Sequence, residues 1–264
     1  VFPKYFSCLA YFYLTSENPL RRSFQPIPLF LNNIWQAPAI SRLFAFSTTF
    51  WYIMNQERSE KLITFSSHSM SFRALHDVGF KQTNVVSDDS RIFWQCFLRY
   101  DGDYRVQPLY YPVSMDANAA PSFLGTLKQI YRQQRRWAYG AADIPYFLFG
   151  FWKNRNIPYS RKIILAWELI DGHWSWATAS LLIFLLGWLP LFLGGDAFSQ
   201  SVLSYNLPRR MSQLLTVSML GIIGAVYFSL LLLPPKPPGF GKKKVITLIL
   251  QWLLLPASMI FFSL

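Results

Sequence analysis

The sequence predicts an α/β lobe followed by an interfacial helix and three transmembrane helices. Three observations carry that prediction. Charge is uneven along the 264 residues: 25 Lys and Arg stand against 13 Asp and Glu, and Asp196 is the single acid beyond Asp171. Three apolar runs, each of about 20 residues, fill the last third. Before them, short strand-like and helix-like stretches share residues 1 to about 140.

Composition excludes several classes. With 52% hydrophobic, 18% aromatic and 14% charged residues the chain is not disordered. Cys8 and Cys96 lie far apart without His neighbours, so neither a disulfide framework nor a Cys-rich zinc site is available. No phosphate-binding glycine loop, zinc-protease helix or calcium loop occurs. The chain opens at Val1, and the expectation is a C-terminal piece of a longer protein, with no signal peptide to read.

Within the lobe, Lys61 to Phe65 reads as a short strand and Ser71 to Val78 as a helix stopped by Gly79. From Asp88 to Tyr100, apolar Phe93, Cys96, Phe97 and Tyr100 recur at helical spacing and predict one buried face. Asp101-Gly102-Asp103 reads as a turn instead of a metal site, and Tyr104 to Tyr110 as the strand after it. A helix starting near Phe123 sorts into three faces. Phe123, Leu127 and Ile130 are apolar; Lys128, Arg132 and Arg135 are basic and suit water or anionic headgroups; Gln133, Arg136 and Trp137 share the third. Ile144 to Trp152 is apolar but too short to span, so it predicts an in-plane interfacial helix.

The apolar runs are Trp174 to Leu193, Leu214 to Leu233 and Val245 to Leu264, each long enough to cross a hydrocarbon core of roughly 30 Å. Pro190 and Pro256 are tolerable in such spans. Lys153, Arg155, Arg161 and Lys162 precede the first run. Lys236 and Lys242 to Lys244 separate the second from the third, while the remaining loop holds only Arg209 and Arg210. That bias predicts a cytoplasmic lobe in the plasma (inner) membrane, multi-pass, with the C-terminus outside. The net charge of +12 then reads as topology and anionic-lipid attraction, not as nucleic-acid binding.

Three polar clusters are candidates for chemistry. Ser87-Asp88-Asp89 opens a helix, where it serves either as cap and dipole partner or as a general base aimed into a cleft. Gln133, Arg136 and Trp137 suit an anionic ligand beside a flat ring, or an interfacial basic helix. Ser66-Ser67-His68-Ser69 is a polar loop after the predicted strand, its His structural or catalytic.

In this order, Phe65-Ser66-Ser67-His68, Gly79-Phe80, Ser87-Asp88-Asp89 and Gln133-Gln134-Arg135-Arg136-Trp137, followed by apolar runs, the chain resembles the membrane-bound family 2 glycosyltransferases, cellulose-synthase-like and hyaluronan-synthase-like. Gln25-Pro26 resembles the family's Gln-Thr-Pro segment. The resemblance implies the C-terminal part of a GT-A (Rossmann-like) catalytic domain over residues 1–140, a juxtamembrane segment over 141–172, and a transmembrane region over 173–264. It implies Asp89 as the catalytic base and Asp88 as the acid before it. Gln133, Arg136 and Trp137 would bind donor diphosphate and acceptor sugar, with Ser67 and His68 in the acceptor loop. Ser67 replaces the family's Gly, and Asp88 its usual Glu.

The resemblance further implies a nucleotide-sugar donor, UDP-linked, a saccharide or lipid-linked acceptor, and inversion, with processive polysaccharide synthesis within the family's range. It implies a divalent metal, Mg or Mn, on an Asp-x-Asp upstream of Val1. No metal ligands are assigned in this stretch, which alone is expected to be inactive. Two other classes fit the residues: a transporter-like protein, disfavoured because the three runs hold no ionisable residue, and a non-catalytic membrane scaffold.

Overall fold

The computed structural model describes residues 2–182, 188–238 and 241–255. The chain divides into two compact units, residues 1–171 and 172–264. Helices dominate, with one small sheet in the first unit.

In that unit α1 (Tyr5–Thr15) leads into β1 (Arg22–Leu29), the central strand of a sheet ordered β2-β1-β3. β2 (Ser69–Met70) pairs antiparallel and β3 (Arg105–Ser114) parallel. A parallel neighbour needs a long crossover. Here it holds α2 (Ala39–Gln56), α3 (Phe72–Asp77) and α4 (Asp88–Arg99). Prolines interrupt the ladder, since Pro26 has no N–H to give, and the register shifts between Gln25 and Ile27. The Gln56 amide fills that gap: its Nε2 donates to the Gln25 carbonyl at 2.7 Å and its Oε1 accepts from the Tyr110 amide at 3.0 Å.

α3 has the predicted start and stop. Ser71 caps it through the Ala74 amide at 3.1 Å, and Gly79 leaves it at φ +74°. α4 is buried on more sides than the spacing implied: Ile92 and Trp94 join Phe93, Cys96 and Phe97 in the core, while Tyr100 is only half-buried. The covering comes from α6 (Asp143–Lys153), whose Phe147 stacks on Trp94 with centroids 4.9 Å apart. So the segment expected to lie in-plane buries Phe147 and Phe151 in the lobe. Its other side leaves Phe149 and Trp152 exposed.

Two local expectations are corrected. Lys61 to Phe65 is not a strand. Leu62 and Thr64 are buried, but the Phe65 amide donates to Gln25 Oε1 at 2.9 Å, so a side chain takes the place of a ladder partner. In α5 (Phe123–Ala138) the start is as expected, with Ser122 accepting from the Gly125 amide at 3.0 Å. Its buried stripe, however, is Thr126, Ile130 and Gln134, and Phe123 is exposed. Thr126 sits there because its Oγ1 bonds the Ala120 amide at 3.0 Å, tying the helix to the chain before it.

In the second unit, α10 (Val202–Leu232) contains all but the last residue of the second apolar run, and among the described residues it alone is long and apolar enough to cross a membrane. For the first run, α7 (Tyr159–Leu181) ends before Leu193, and α8 (Leu189–Leu193) and α9 (Gly195–Ser199) follow as short helices; residues 183–187 lie outside the described set. For the third, α11 (Lys242–Leu250) passes into a 3₁₀ turn at Gln251–Leu254, and residues 256–264 lie outside the described set. Trp252 Nε1 donates to Ser229 Oγ of α10 at 3.2 Å, both side chains buried.

Candidate functional site

An open cleft of about 470 Å³ in the first unit is lined by Ser66, Ser67, His68, Phe80, Lys81 and Asp89, among others. Thus the structure brings the expected base together with the expected acceptor loop, though 21 or more residues separate them in sequence.

The loop is built by Gln25. Its fully buried side chain accepts from the Phe65 amide through Oε1 at 2.9 Å and donates to the Ser66 carbonyl through Nε2 at 3.2 Å. The β1 strand therefore dictates the path of the loop, and Ser67 takes a left-handed conformation at φ +68° as the chain reverses. His68 Nδ1 bonds the Phe65 carbonyl at 2.7 Å. Because a carbonyl only accepts, Nδ1 carries the proton and Nε2 holds the lone pair in the neutral ring. Burial first, with Lys81 adding to it, pushes the imidazole below its ordinary range, against the Phe65 carbonyl and the two aspartates.

At the opposite wall, Asp89 stands in the first turn of α4. Thr64 Oγ1 donates to the Asp89 carbonyl at 2.6 Å and fixes this turn against the loop. Oδ1 of Asp89 accepts the Ser90 amide at 3.0 Å; no donor among the described residues holds Oδ2. Asp88 is different. Lys81 Nζ meets its Oδ2 at 3.0 Å, an ion pair that occupies Asp88 and leaves Asp89 as the acid with an unengaged oxygen. Ser87 precedes α4 but makes no side-chain cap, so the capping role that its sequence suggested is absent.

The third cluster does not line the cleft. Gln133 is half-buried and its Oε1 accepts from Asn118 Nδ2 at 3.4 Å, while Arg136 and Trp137 are exposed. Its distance from Asp89 is limited, however, by a tie the sequence did not reveal. Asp143 is buried, with Oδ1 accepting from Arg91 Nε at 2.6 Å and Oδ2 from Ser90 Oγ at 2.6 Å. Arg91 also donates to the Ala142 carbonyl at 3.0 Å and to Gln82 Oε1 at 2.8 Å. The residues next to Asp89 thus clasp the chain just after α5. Trp137 lies six residues before Asp143 through helical and 3₁₀ backbone, about 10 Å along the axis.

Among the described residues no three His, Cys, Asp or Glu side chains gather as metal ligands. Asp101 is bonded by Asn154 at 2.6 Å and Asn156 at 3.0 Å, and Asp103 by Arg21 at 2.7 Å, so both serve the turn. Neither acid is placed as a metal ligand, and the divalent metal that the resemblance implies is expected on an Asp-x-Asp upstream of Val1, outside these residues.

Comparison with family models, with curated proteins and with solved structures finds no match for the chain.

Proposed function

We propose that the protein is a membrane-anchored glycosyltransferase in which Asp89 is the general base. The observation that supports this most is the cleft itself: a carboxylate with an unengaged oxygen faces a polar Ser67–His68 loop across a space of about 470 Å³. A sugar hydroxyl is a weak nucleophile at neutral pH. Oδ2 of Asp89 would take its proton as the oxygen attacks the anomeric carbon of a nucleotide sugar, UDP-linked in this reading, while the bond to the nucleoside diphosphate breaks on the opposite face. Configuration inverts. His68, neutral in its pocket, would offer Nε2 as an acceptor for a neighbouring hydroxyl and so orient the acceptor. Gln133, Arg136 and Trp137 would approach the cleft's rim from the end of α5, the guanidinium toward diphosphate and the indole under a sugar face. No step is assigned to a metal.

One observation favours a second reading, a non-catalytic membrane scaffold on the same fold: the Gln133–Arg136–Trp137 group lies outside the lining of the Asp89 cleft. Asp89→Asn separates the two. In membranes carrying the intact protein, supplied with a panel of nucleotide sugars and with products sized, the variant should insert normally and transfer at least 100-fold more slowly, the scale of general-base assistance. Transfer at near-normal rate would remove Asp89 from the reaction. Absence of transfer by the unaltered protein across the panel would favour the scaffold.

A further inference from the structure

The parallel pairing of β1 with β3 sets Arg22 directly opposite Arg105. Like charges facing across a ladder destabilise a sheet. A third guanidinium joins them: Arg161, near the start of α7, lines with both a cavity of about 450 Å³. Its floor is aromatic, made by the buried Phe93, Phe97 and Tyr104. Arg161 lies over the Phe97 ring, 5.1 Å from its centroid, so its face is covered by carbon and its edge donors remain for a ligand. Three elements far apart in sequence therefore bring three forks of N–H donors to one place.

The acids near it do not neutralise them. Glu168 is bound to Lys61, and Asp103 is bound to Arg21 at 2.7 Å. Arg22 gives Nε to the Glu17 carbonyl at 2.6 Å and Nη1 to Gln107 Oε1 at 3.5 Å, and the almost wholly exposed Glu17 carboxylate reaches its Nη2 only at 3.9 Å. Arg105 has no carboxylate partner among the described residues. The lining carries Arg22, Lys61, Arg105 and Arg161 against Glu60 and Glu168, a net charge of +2. Burial, and then Arg105 beside it, weaken the hold of Arg161 on its proton, with Asp103 acting in the opposite sense. This lining shares no residue with that of the Asp89 cleft.

We propose that this cavity is a second binding site, separate from the Asp89 cleft, that takes a phosphate monoester between Arg22, Arg105 and Arg161. The anion relieves the facing guanidinium pair, and the carbon portion of the ligand rests toward the aromatic floor. A soluble phosphate ester and the headgroup of phosphatidic acid present the same terminal phosphate.

Thermal unfolding of the full chain tests the site, with inorganic phosphate titrated against chloride at fixed ionic strength in detergent. In parallel, the chain is placed in nanodiscs of phosphatidylcholine with and without phosphatidic acid. A saturable rise in the unfolding midpoint is expected, and Arg105→Gln and Arg161→Gln should each weaken the apparent affinity at least tenfold, while Arg73→Gln leaves it unchanged. A response to inorganic phosphate assigns the site to soluble esters, and a response to phosphatidic acid alone assigns it to a headgroup; either supports the proposal. In anion-free buffer Arg105→Gln should unfold no earlier than the unaltered chain, because it removes a repulsion, which keeps lost binding distinct from lost folding. No response to either probe, or a response that survives both substitutions, overturns the proposal. So does an early-unfolding Arg105→Gln.

Discussion

The imidazole of His68 joins the cleft's geometry to a measurable property of the whole protein. Its Nδ1–H is given to the Phe65 carbonyl, and burial lowers its proton affinity below that of a free His. In the unfolded chain this group takes up its proton near pH 6.5. In the folded chain it does so only at lower pH. The unfolded state therefore binds more protons between those two values, and stability falls as pH drops from about 6.5 through the folded value. His68→Gln keeps an amide donor for Phe65 but does not titrate. Denaturant unfolding at pH 7.5 and pH 5 should show a loss on acidification in the unaltered chain that is smaller in the variant; equal losses would mean that His68 is solvated. The residues marked the Ser66–Ser69 loop and the Ser87–Asp89 cluster as candidates, but it was the family resemblance that singled out Ser67, His68 and Asp89 within them. The sequence could not nominate Lys81 as the partner of Asp88, since a lysine in a polar connection gives no sign of what it will face. Nor could it reveal how Gln25 acts, because a glutamine inside a strand looks the same whether it is solvated or threads a buried loop.

At the level of elements, periodicity identified α3, α4 and the start of α5, and it failed where a side chain replaced the backbone as hydrogen-bond partner. Lys61 to Phe65 has the composition of a strand but finds Gln25 where a neighbouring strand would be. Spacing also misjudged the buried stripe of α5, because Thr126 is held inward by the Ala120 amide while Phe123 at the helix start is left exposed among the described residues. The least legible feature joins two helices. Arg91 and Asp143 form an ion pair with side chains only 7% and 1% exposed, and the Arg91 guanidinium also lies 4.1 Å from the centroid of the Tyr146 ring. In sequence Arg91 is one of four charged residues in α4 and Asp143 one of two in α6, 52 positions apart, and nothing in the spacing pairs them. Removing one partner of a buried pair strands the other charge and typically costs about 3–5 kcal/mol. Asp143→Asn should therefore lower the stability of the lobe by about that amount, read from denaturant unfolding followed by tryptophan fluorescence. Asp103→Asn is the comparison, since it breaks the exposed Arg21 pair, where about 1 kcal/mol or less is expected. Equal effects would mean that the Arg91–Asp143 clasp is solvated and does not hold the end of α5 beside α4.

For the molecule as a whole, the hydropathy and charge change near Asp171 falls where the chain divides into its two compact units, and both depend on composition summed over many residues and not on any one contact. How that apolar region is divided into helices was less legible. In the run from Trp174 to Leu193, α7 reaches Leu181 and α8 starts at Leu189 with Pro190 in its first turn, while residues 183–187 lie outside the described set. α10 is clearer. Its 31 residues rise about 46 Å, longer than a hydrocarbon core of roughly 30 Å. The surplus lies at its N-terminal end, where Pro208, Arg209 and Arg210 interrupt the apolar sequence, so the stretch apolar enough to span runs from about residue 212 to Leu232, and a span would set the two arginines at one interface. Ile223 falls near the middle of that stretch and is 68% exposed, so a span would present it to lipid. An arginine there should disfavour insertion by about 2.5–3.5 kcal/mol on the translocon scale. With glycosylation acceptor sites placed before and after α10, Ile223→Arg should shift a substantial fraction of chains from spanning to non-spanning glycosylation patterns. Val202→Arg, outside the apolar stretch, should leave the pattern as it is. A non-spanning pattern for the unaltered helix would mean that α10 is not a span, and an unchanged spanning pattern in Ile223→Arg would mean that residue 223 does not face lipid at mid-membrane.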